Sequence, residues 1–560
     1  MSNTAPAPLL RVALAQINTR VSDIEGNLAK ALAAHQRAGE AGAGLVLLPE
    51  MTIPGYPAKD LLLEKPFIRR NVEALERFAR ETHQGPATLI GFAEPHSEEG
   101  NGLYNSAAFC HGGKVRGVYR KWLLPTYDVF DEDRYFDEGR DCCVVEHFGW
   151  RLGITVCEDA WNDEHYFPHR RYRRNPVMET VGAGAEVVLN LSASPFAMER
   201  ARGREGVLAG GAGRQGVPFL MTNLCGANDD VIFDGRSFAS DSAGRACGRA
   251  ASFAEDMVAV ELRRTADAIE VSSTEAPSPA GMEELRQALV LGIRDYMEKC
   301  GFREVLIGLS GGIDSALVAA LAAEALGPER VRGIYMPSRY SSDHSRSDAY
   351  ALARALGIRL DTIPIEGMFT RVMDDLAAHL PENAGDVTEE NAQSRLRGLT
   401  LMALSNATGA MVLATGNKSE LSVGYATLYG DMCGGLAAIG DVPKLLVYQL
   451  SRHLNRAAGR EIIPDSTITK PPSAELRPDQ KDTDSLPPYE VLDPIIRAYV
   501  EEGLDAEDIT ARGFERETVE EVLRLIRKNE YKRRQTPPTL KVTNRAFGYG
   551  WRMPIARGNW

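Results

Sequence analysis

From residue 282 onward, short apolar runs and helix-period stretches take strict turns, and no other feature constrains the fold of this chain as tightly. A helical pattern over 282–300 leads to the run "VLIGLS", a helix over 315–326 and the run "VRGIYMP". Then follow a helix over 345–356, "RLDTIPI", a helix over 388–408 and "AMVLATG". Strands that alternate with helices lie parallel, joined by right-handed crossovers, and ligands bind outside their carboxyl ends. At 560 residues the chain is too long for one core, so a further domain is expected in front.

That front half is strand-rich. "LLRVALAQIN", "LVLLPE", "ATLIGFAEP", "RLGITVCED", "AEVVLNLSAS", "VPFLMTNL" and "DMVAVEL" are apolar runs ending in polar or turn residues, with helical patterns between them at 27–38 and 177–182. Gly112-Gly113 and Ala243-Gly244 mark two hairpins. The mixture predicts an α/β layered sandwich over 9–265. Residues 266–281, polar and bearing Pro and Ser, are the expected linker, and 282–560 form the parallel-sheet domain. A second Pro-, Asp- and Ser-rich stretch, 463–492, reads as either disorder or a functional lid.

The run "LIGLSGGIDSALV" stands where a parallel sheet cradles phosphate, yet no lysine follows its glycines. Gly311 and Gly312 let backbone N–H groups turn inward, the next helix adds its positive end, and Ser310 and Ser315 add hydroxyls. Asp314 would repel phosphate unless a cation lies between, which calls for a divalent metal such as Mg²⁺. An ordinary glycine turn is the competing reading. A net charge of −13 argues against a chain that coats nucleic acid, and no apolar stretch is long enough to span a membrane. Eight cysteines without CxxC spacing exclude a disulfide scaffold, and the N-terminus carries no signal-peptide pattern, so a cytoplasmic protein is expected.

The Ser-Gly-Gly-x-Asp-Ser loop resembles the signature of the ATP-pyrophosphatase superfamily, which splits ATP into AMP and pyrophosphate. "LATGNKSELSVGYATLYGD", "EENAQSRLRGLTLMALSN", "DVPKLLVYQL" and "NEYKRRQTPP" are similar to NAD synthetase segments within it. The resemblance implies a Rossmann-like domain in which Gly308, Leu309, Ser310, Gly311, Gly312, Ile313, Asp314, Ser315, Arg395 and Thr415 meet ATP. Asn391, Glu420, Asp431, Lys444 and Lys532 would face deamido-NAD, the two lysines reaching phosphate, and Asp314 and Glu420 would hold Mg²⁺.

In the front half Glu50, Lys121 and Cys157 each lie at or near the end of an apolar segment, where side chains from separate strands can converge. A thiol is a strong nucleophile once a base takes its proton and a cation steadies the charge. Singly each residue is as readily structural. With "LPEMTIPGYPAKDL", "KWLLPTYDVFDEDRYF" and "CEDAW" around them they resemble the nitrilase superfamily, in the form fused to glutamine-dependent NAD synthetases. That implies an α-β-β-α sandwich in which Cys157, Lys121 and Glu50 release ammonia from glutamine. Glu132 would be a second acid, and Tyr127, Ser194 and Arg200 would hold the substrate. The family usually has Gly-Lys after "SPFxx", whereas this chain has Glu199-Arg200, which loosens the Ser194 and Arg200 assignment. Deamido-NAD, ATP and glutamine or ammonia are the implied small molecules, with neither nucleic acid nor membrane, and the family resemblance implies a homo-oligomer. Rival readings are an amidotransferase with another acceptor, a non-catalytic nucleotide sensor, and an amidase fused to an unrelated ATP-binding domain.

Overall fold

In the computed structural model, residues 9–163, 165–166, 171–198, 200–266, 268–381, 386–477 and 480–558 are described, without the side chains of 200–202 and 386. The chain divides into two compact units, Met1–Pro279 and Ala280–Trp560.

The first unit stacks two sheets. One has seven strands in the order Ile269–Ser273, Asp256–Arg264, Leu9–Gln16, Leu45–Leu47, Ala87–Pro95, Leu103–His111, Lys114–Arg120. The other has six, in the order Ala246–Arg249, Phe238–Ser240, Phe219–Asn223, Val187–Ser192, Trp150–Val156, Cys143–His147. Each carries three parallel strands, Leu9–Gln16 with Leu45–Leu47 and Ala87–Pro95 in one, and Trp150–Val156 with Val187–Ser192 and Phe219–Asn223 in the other. Val12, Leu14, Leu47 and Leu89 meet Leu152, Ile154, Leu189 and Leu220 in a core between the sheets. The outer face of the first sheet packs on helices Ile24–Glu40 and Lys65–Glu81, through Leu28, Ala31, Phe78 and Ile90. Pro176–Gly182 and Arg200–Arg214 cover the second sheet through Val177, Leu208, Ala212 and Phe219. Helix, sheet, sheet, helix is therefore the layer order. Both hairpins form as expected.

Part of the expected linker is ordered as an edge strand, because Ile269 and Val271 alternate with polar residues and reach the inter-sheet core while their backbone pairs with Asp256–Arg264. Period-two burial outweighs the polar composition that suggested a tether.

The second unit is built on five parallel strands in the order Arg359–Thr362, Val331–Tyr335, Val305–Gly308, Met411–Ala414, Leu436–Ala437. Helix Ile313–Leu326, apolar around most of its circumference, is buried. The pattern missed helix Glu366–Leu376 and a helical cluster of Tyr489–Ile496, Ala506–Ala511 and Arg516–Lys528 that packs around Trp551. The stretch 463–492 is not structureless over its described residues: it holds the short helix Asp465–Thr469 and a turn at Asp482–Asp484. Among the described residues no helix is long and apolar enough to cross a membrane.

Candidate active sites

In the first unit three strands deliver one side chain each. Glu50 follows Leu45–Leu47, Lys121 follows Lys114–Arg120, and Cys157 opens the short turn after Trp150–Val156 with φ of +43°. Glu132 comes from the turn Glu132–Arg134. All four are buried, with Lys121 fully withdrawn from solvent. The Lys121 ammonium donates to Glu50 Oε1 at 2.8 Å and to both Glu132 oxygens at 2.9 and 2.8 Å. Asn105 Nδ2 donates to Glu50 Oε1 at 2.7 Å, Ala193 N to Glu50 Oε2 at 2.8 Å, and Tyr56 OH to Glu132 Oε1 at 2.8 Å.

Electrostatics follow from this packing. Burial pulls the Lys121 pKa down, but Glu132 and Glu50 more than offset it, so the lysine stays an ammonium. Burial pushes Glu132 up to about 7 despite Lys121. Burial and then Glu50 push the Cys157 thiol well above its usual range, against the pull of Lys121. The resting sulfur is thus a protonated thiol that needs a base, with buried carboxylates and a fixed cation in its electrostatic surroundings.

Sequence reasoning passed over Asp159, which ties the lysine segment to the nucleophile turn. Its Oδ1 accepts from the N–H groups of Trp122 and Leu123 at 3.1 and 3.0 Å, and its Oδ2 from Tyr119 OH and Val156 N at 2.9 Å each. Burial raises this carboxyl to about 6. Glu158 was also missed; it accepts from Tyr127 OH at 2.9 Å and from Tyr172 OH at 2.9 Å. The signal for both was the acid pair directly after the cysteine in "CEDAW". The Arg171 guanidinium lies 3.8 Å over the Tyr127 ring. Ser194 is buried, its N–H bonded to Asn223 Oδ1 at 2.8 Å. Arg200 begins helix Arg200–Arg214, but its side chain and Glu199 lie outside the described residues.

In the second unit a cavity of about 290 Å³ opens at the carboxyl end of Val305–Gly308. Gly308, Leu309, Ser310, Gly312, Ile313, Asp314 and Ser315 line it, together with Thr415, Glu420, Asp431 and Lys444. Gly311 serves the turn instead. Its φ is +79°, and a Cβ there would stand 2.3 Å from Ser345 O. The Ser310 hydroxyl accepts from Gly312 N at 3.1 Å and lies 3.2 Å from that of Ser315.

Lys444 joins the two carboxylates expected to hold metal. Its buried Nζ donates to Asp314 Oδ2 and, at 3.1 Å, to Glu420 Oε1. Burial raises Glu420 to about 8, with Lys444 pulling the other way and Asp314 and Asp482 adding repulsion. Among the described residues no group of three or more His, Cys, Asp and Glu could hold a metal alone. Two carboxylates converging on one cation do fit Mg²⁺, which takes one or two carboxylates and fills its shell with substrate phosphates and water.

Asp431 lines the cavity, raised to about 6 by burial against hydrogen bonding from Thr427 N and the charge of Lys532. Asn391 Oδ1 accepts from Thr427 Oγ1 at 2.7 Å, and Lys532 Nζ donates to Gly424 O and Ala426 O at 2.7 and 2.8 Å; neither lines the cavity. Arg395 is exposed and bonds Leu428 O at 3.2 Å, whereas Arg397 lines the cavity and bonds Met336 O at 3.1 Å. Residues two apart on a helix point roughly 200° apart, so only one of this pair can face inward. The stretch 463–492 contributes Thr467, Lys470, Glu475 and Asp482 to the walls. Glu475 accepts from Ser342 Oγ at 2.8 Å and Ser345 Oγ at 2.7 Å, and Lys470 Nζ donates to Ser345 Oγ at 3.1 Å. None of these four was singled out from sequence, because an irregular segment carries no periodicity to point its side chains.

Residues 11–269 match the family model described as carbon-nitrogen hydrolase, and 285–536 the one described as NAD synthase. The chain is 47% identical to a glutamine-dependent NAD(+) synthetase from Synechocystis sp. over 98% of its own length and 99% of that protein. It is 43% identical to one from Thermotoga maritima, with 98% of each covered. Among solved structures, a glutamine-dependent NAD+ synthetase from Acinetobacter baumannii in complex with adenosine diphosphate covers 98% of both chains at 39% identity, with a TM-score of 0.78.

Proposed function

The chain belongs to the glutamine-dependent NAD(+) synthetase family, and from that premise we propose that its two sites split one ligase reaction between them. Deamido-NAD, ATP, glutamine and water become NAD, AMP, pyrophosphate and glutamate. The observation that carries this reading is the coexistence in one chain of the Glu50–Lys121–Glu132 cluster beside Cys157 and the Asp314–Lys444–Glu420 cluster beneath the Ser-Gly-Gly loop.

In the first site Cys157 Sγ attacks the side-chain amide carbon of glutamine while Glu50 takes the thiol proton. The Lys121 ammonium, held by two carboxylates, faces the negative charge that develops. The C–N bond breaks as the proton passes to the leaving nitrogen, ammonia departs, and water hydrolyses the thioester to glutamate. Tyr127, Ser194 and Arg200 hold the amino acid, with Glu158 suited to its ammonium.

In the second site the carboxylate of deamido-NAD attacks the α-phosphorus of ATP. The loop N–H groups and the Ser310 and Ser315 hydroxyls hold the departing pyrophosphate. Mg²⁺ on Asp314 and Glu420 would supply neutralising charge to the phosphates. Lys444 keeps the two carboxylates together in the free protein and is placed to follow the phosphate charge once substrate arrives. Ammonia then adds to the activated carbonyl and AMP leaves. Mg²⁺ as the metal and a homo-oligomer as the assembly belong to the same proposal, tested by calorimetry and by sedimentation.

The deciding experiment supplies purified protein with glutamine, ATP and Mg²⁺, and separately with deamido-NAD, XMP or aspartate, and measures AMP and amidated product. AMP is expected with deamido-NAD alone. AMP formed only with XMP or aspartate would overturn the acceptor.

A further inference from the structure

Asn417 is fully buried and stands on extended backbone directly before helix Lys418–Val423. Its side chain has two partners far apart in sequence. Oδ1 accepts from Glu420 N at 3.0 Å, capping the helix, and Nδ2 donates to Asp314 Oδ1 at 2.9 Å. Its backbone N–H reaches Glu420 Oε2 at 3.4 Å. Lys444 takes the remaining oxygens, Asp314 Oδ2 and Glu420 Oε1. Each carboxylate is thus gripped on one side by an ammonium and on the other by Asn417.

The two grips differ in kind. An incoming divalent cation competes with Lys444 for the same carboxylates, since like charges cannot share them cheaply. The Asn417 amide is neutral and holds Asp314 through the oxygen that Lys444 leaves free, so it can stay in place while positive charge is exchanged. On the reading of Asp314 and Glu420 given above, we propose that Asn417 is the positioning residue that keeps this carboxylate pair in register for Mg²⁺·ATP.

Cap chemistry makes the proposal separable from a structural role. Asn, Asp and Ser are near-equal helix N-caps. A residue that only caps would therefore tolerate Asn417→Ser, the discriminating variant, since Asn417→Asp also sets a further buried charge against Asp314. Serine is too short to bridge to Asp314, and aspartate has no donor and adds a third carboxylate, so a positioning residue tolerates neither.

Both variants are assayed as full-length protein with ammonia as nitrogen donor, saturating deamido-NAD and ATP, and a Mg²⁺ titration. The melting temperature of Asn417→Ser measured in EDTA should stay within a few degrees of wild type, as a cap-preserving change allows, whereas Asn417→Asp buries a third carboxylate beside Asp314 and should melt lower. The kcat should fall roughly 10- to 100-fold, the scale of one lost hydrogen bond to a charged group. Half-saturating Mg²⁺ should rise while KM for deamido-NAD holds, and a metal-free crystal structure of Asn417→Ser should show the Asp314 carboxylate turned from its present orientation. Wild-type kcat and Mg²⁺ response in Asn417→Ser would overturn the proposal, as would an unmoved Asp314. A wild-type protein that makes no AMP from deamido-NAD would instead refute the proposed function, and the position of Asp314 in the metal-free variant would still test the role of Asn417.

Discussion

Replacing Lys121 with Met removes a buried cation and leaves Glu50 and Glu132 facing a common gap. Both carboxylates are almost wholly withdrawn from solvent, and Lys121 is the cationic partner of each. Breaking a buried pair by deleting one partner costs about 3–5 kcal/mol. For a unit of this size that corresponds to a drop of roughly 10 °C in melting temperature. Burial already holds Glu132 at about 7, above its ordinary 4.5, with Lys121 the largest opposing influence. Without the lysine this carboxyl rises further. An acid whose folded pKa exceeds its unfolded value loses stability as pH climbs above the unfolded pKa, because only the unfolded chain releases its proton freely. The deficit of Lys121→Met should therefore hold level from pH 5 to about 7, where Glu132 is protonated in both folded proteins, and grow as pH rises further, where wild type releases this proton and the variant retains it. Calorimetry or circular dichroism across that range reads it directly. A deficit that stays flat above that point, or that grows toward pH 5, would refute the reasoning.

Cys157→Ala should abolish glutamine-dependent synthesis and leave ammonia-dependent synthesis near wild type; loss of both would sink the division of labour between two sites. Asp314→Ala should remove ATP-dependent AMP formation, measured by chromatography, whichever nitrogen donor is offered, and AMP at the wild-type rate would mean the loop has been misread. Gly311→Ala places a Cβ against Ser345 O on backbone of positive φ, so AMP formation should fall at least tenfold while glutamate release from glutamine by the first site persists. An unaffected Gly311→Ala enzyme would mean that the loop's tight approach to helix Asp343–Leu356 is dispensable.

Much of the architecture was legible in the chain itself, because period and punctuation are local. Alternating runs after 282 specified a parallel sheet, and the apolar segments of the front half specified strands whose ends carry Glu50, Lys121 and Cys157. The Ser-Gly-Gly-Ile-Asp-Ser run marked a phosphate loop before any contact was known. Local pattern could not say that Ile269–Ser273 would be an edge strand, since its polar surroundings masked a short alternation. Nor could it show that Arg397, rather than the Arg395 that the resemblance pointed to, lines the cavity, which depends on which face of one helix meets it.

Only the folded chain decided the chemistry of contact. Lys121 meets carboxylates 71 and 11 residues away, and Asn417 meets Asp314 across 103. Such meetings follow from strand order and burial, which no short window of sequence records. Burial then sets the charge states, raising Glu132 to about 7 and Glu420 to about 8. The family resemblance already pointed to Lys444 as a substitute for the missing lysine, but only packing shows this buried ammonium arriving from another helix and bound to the very carboxylates that a metal would need. Sequence determined which chemical groups were available and on which elements they ride. Their distances, partners and protonation states came from packing, because hydrogen-bond reach and desolvation are properties of three-dimensional neighbours.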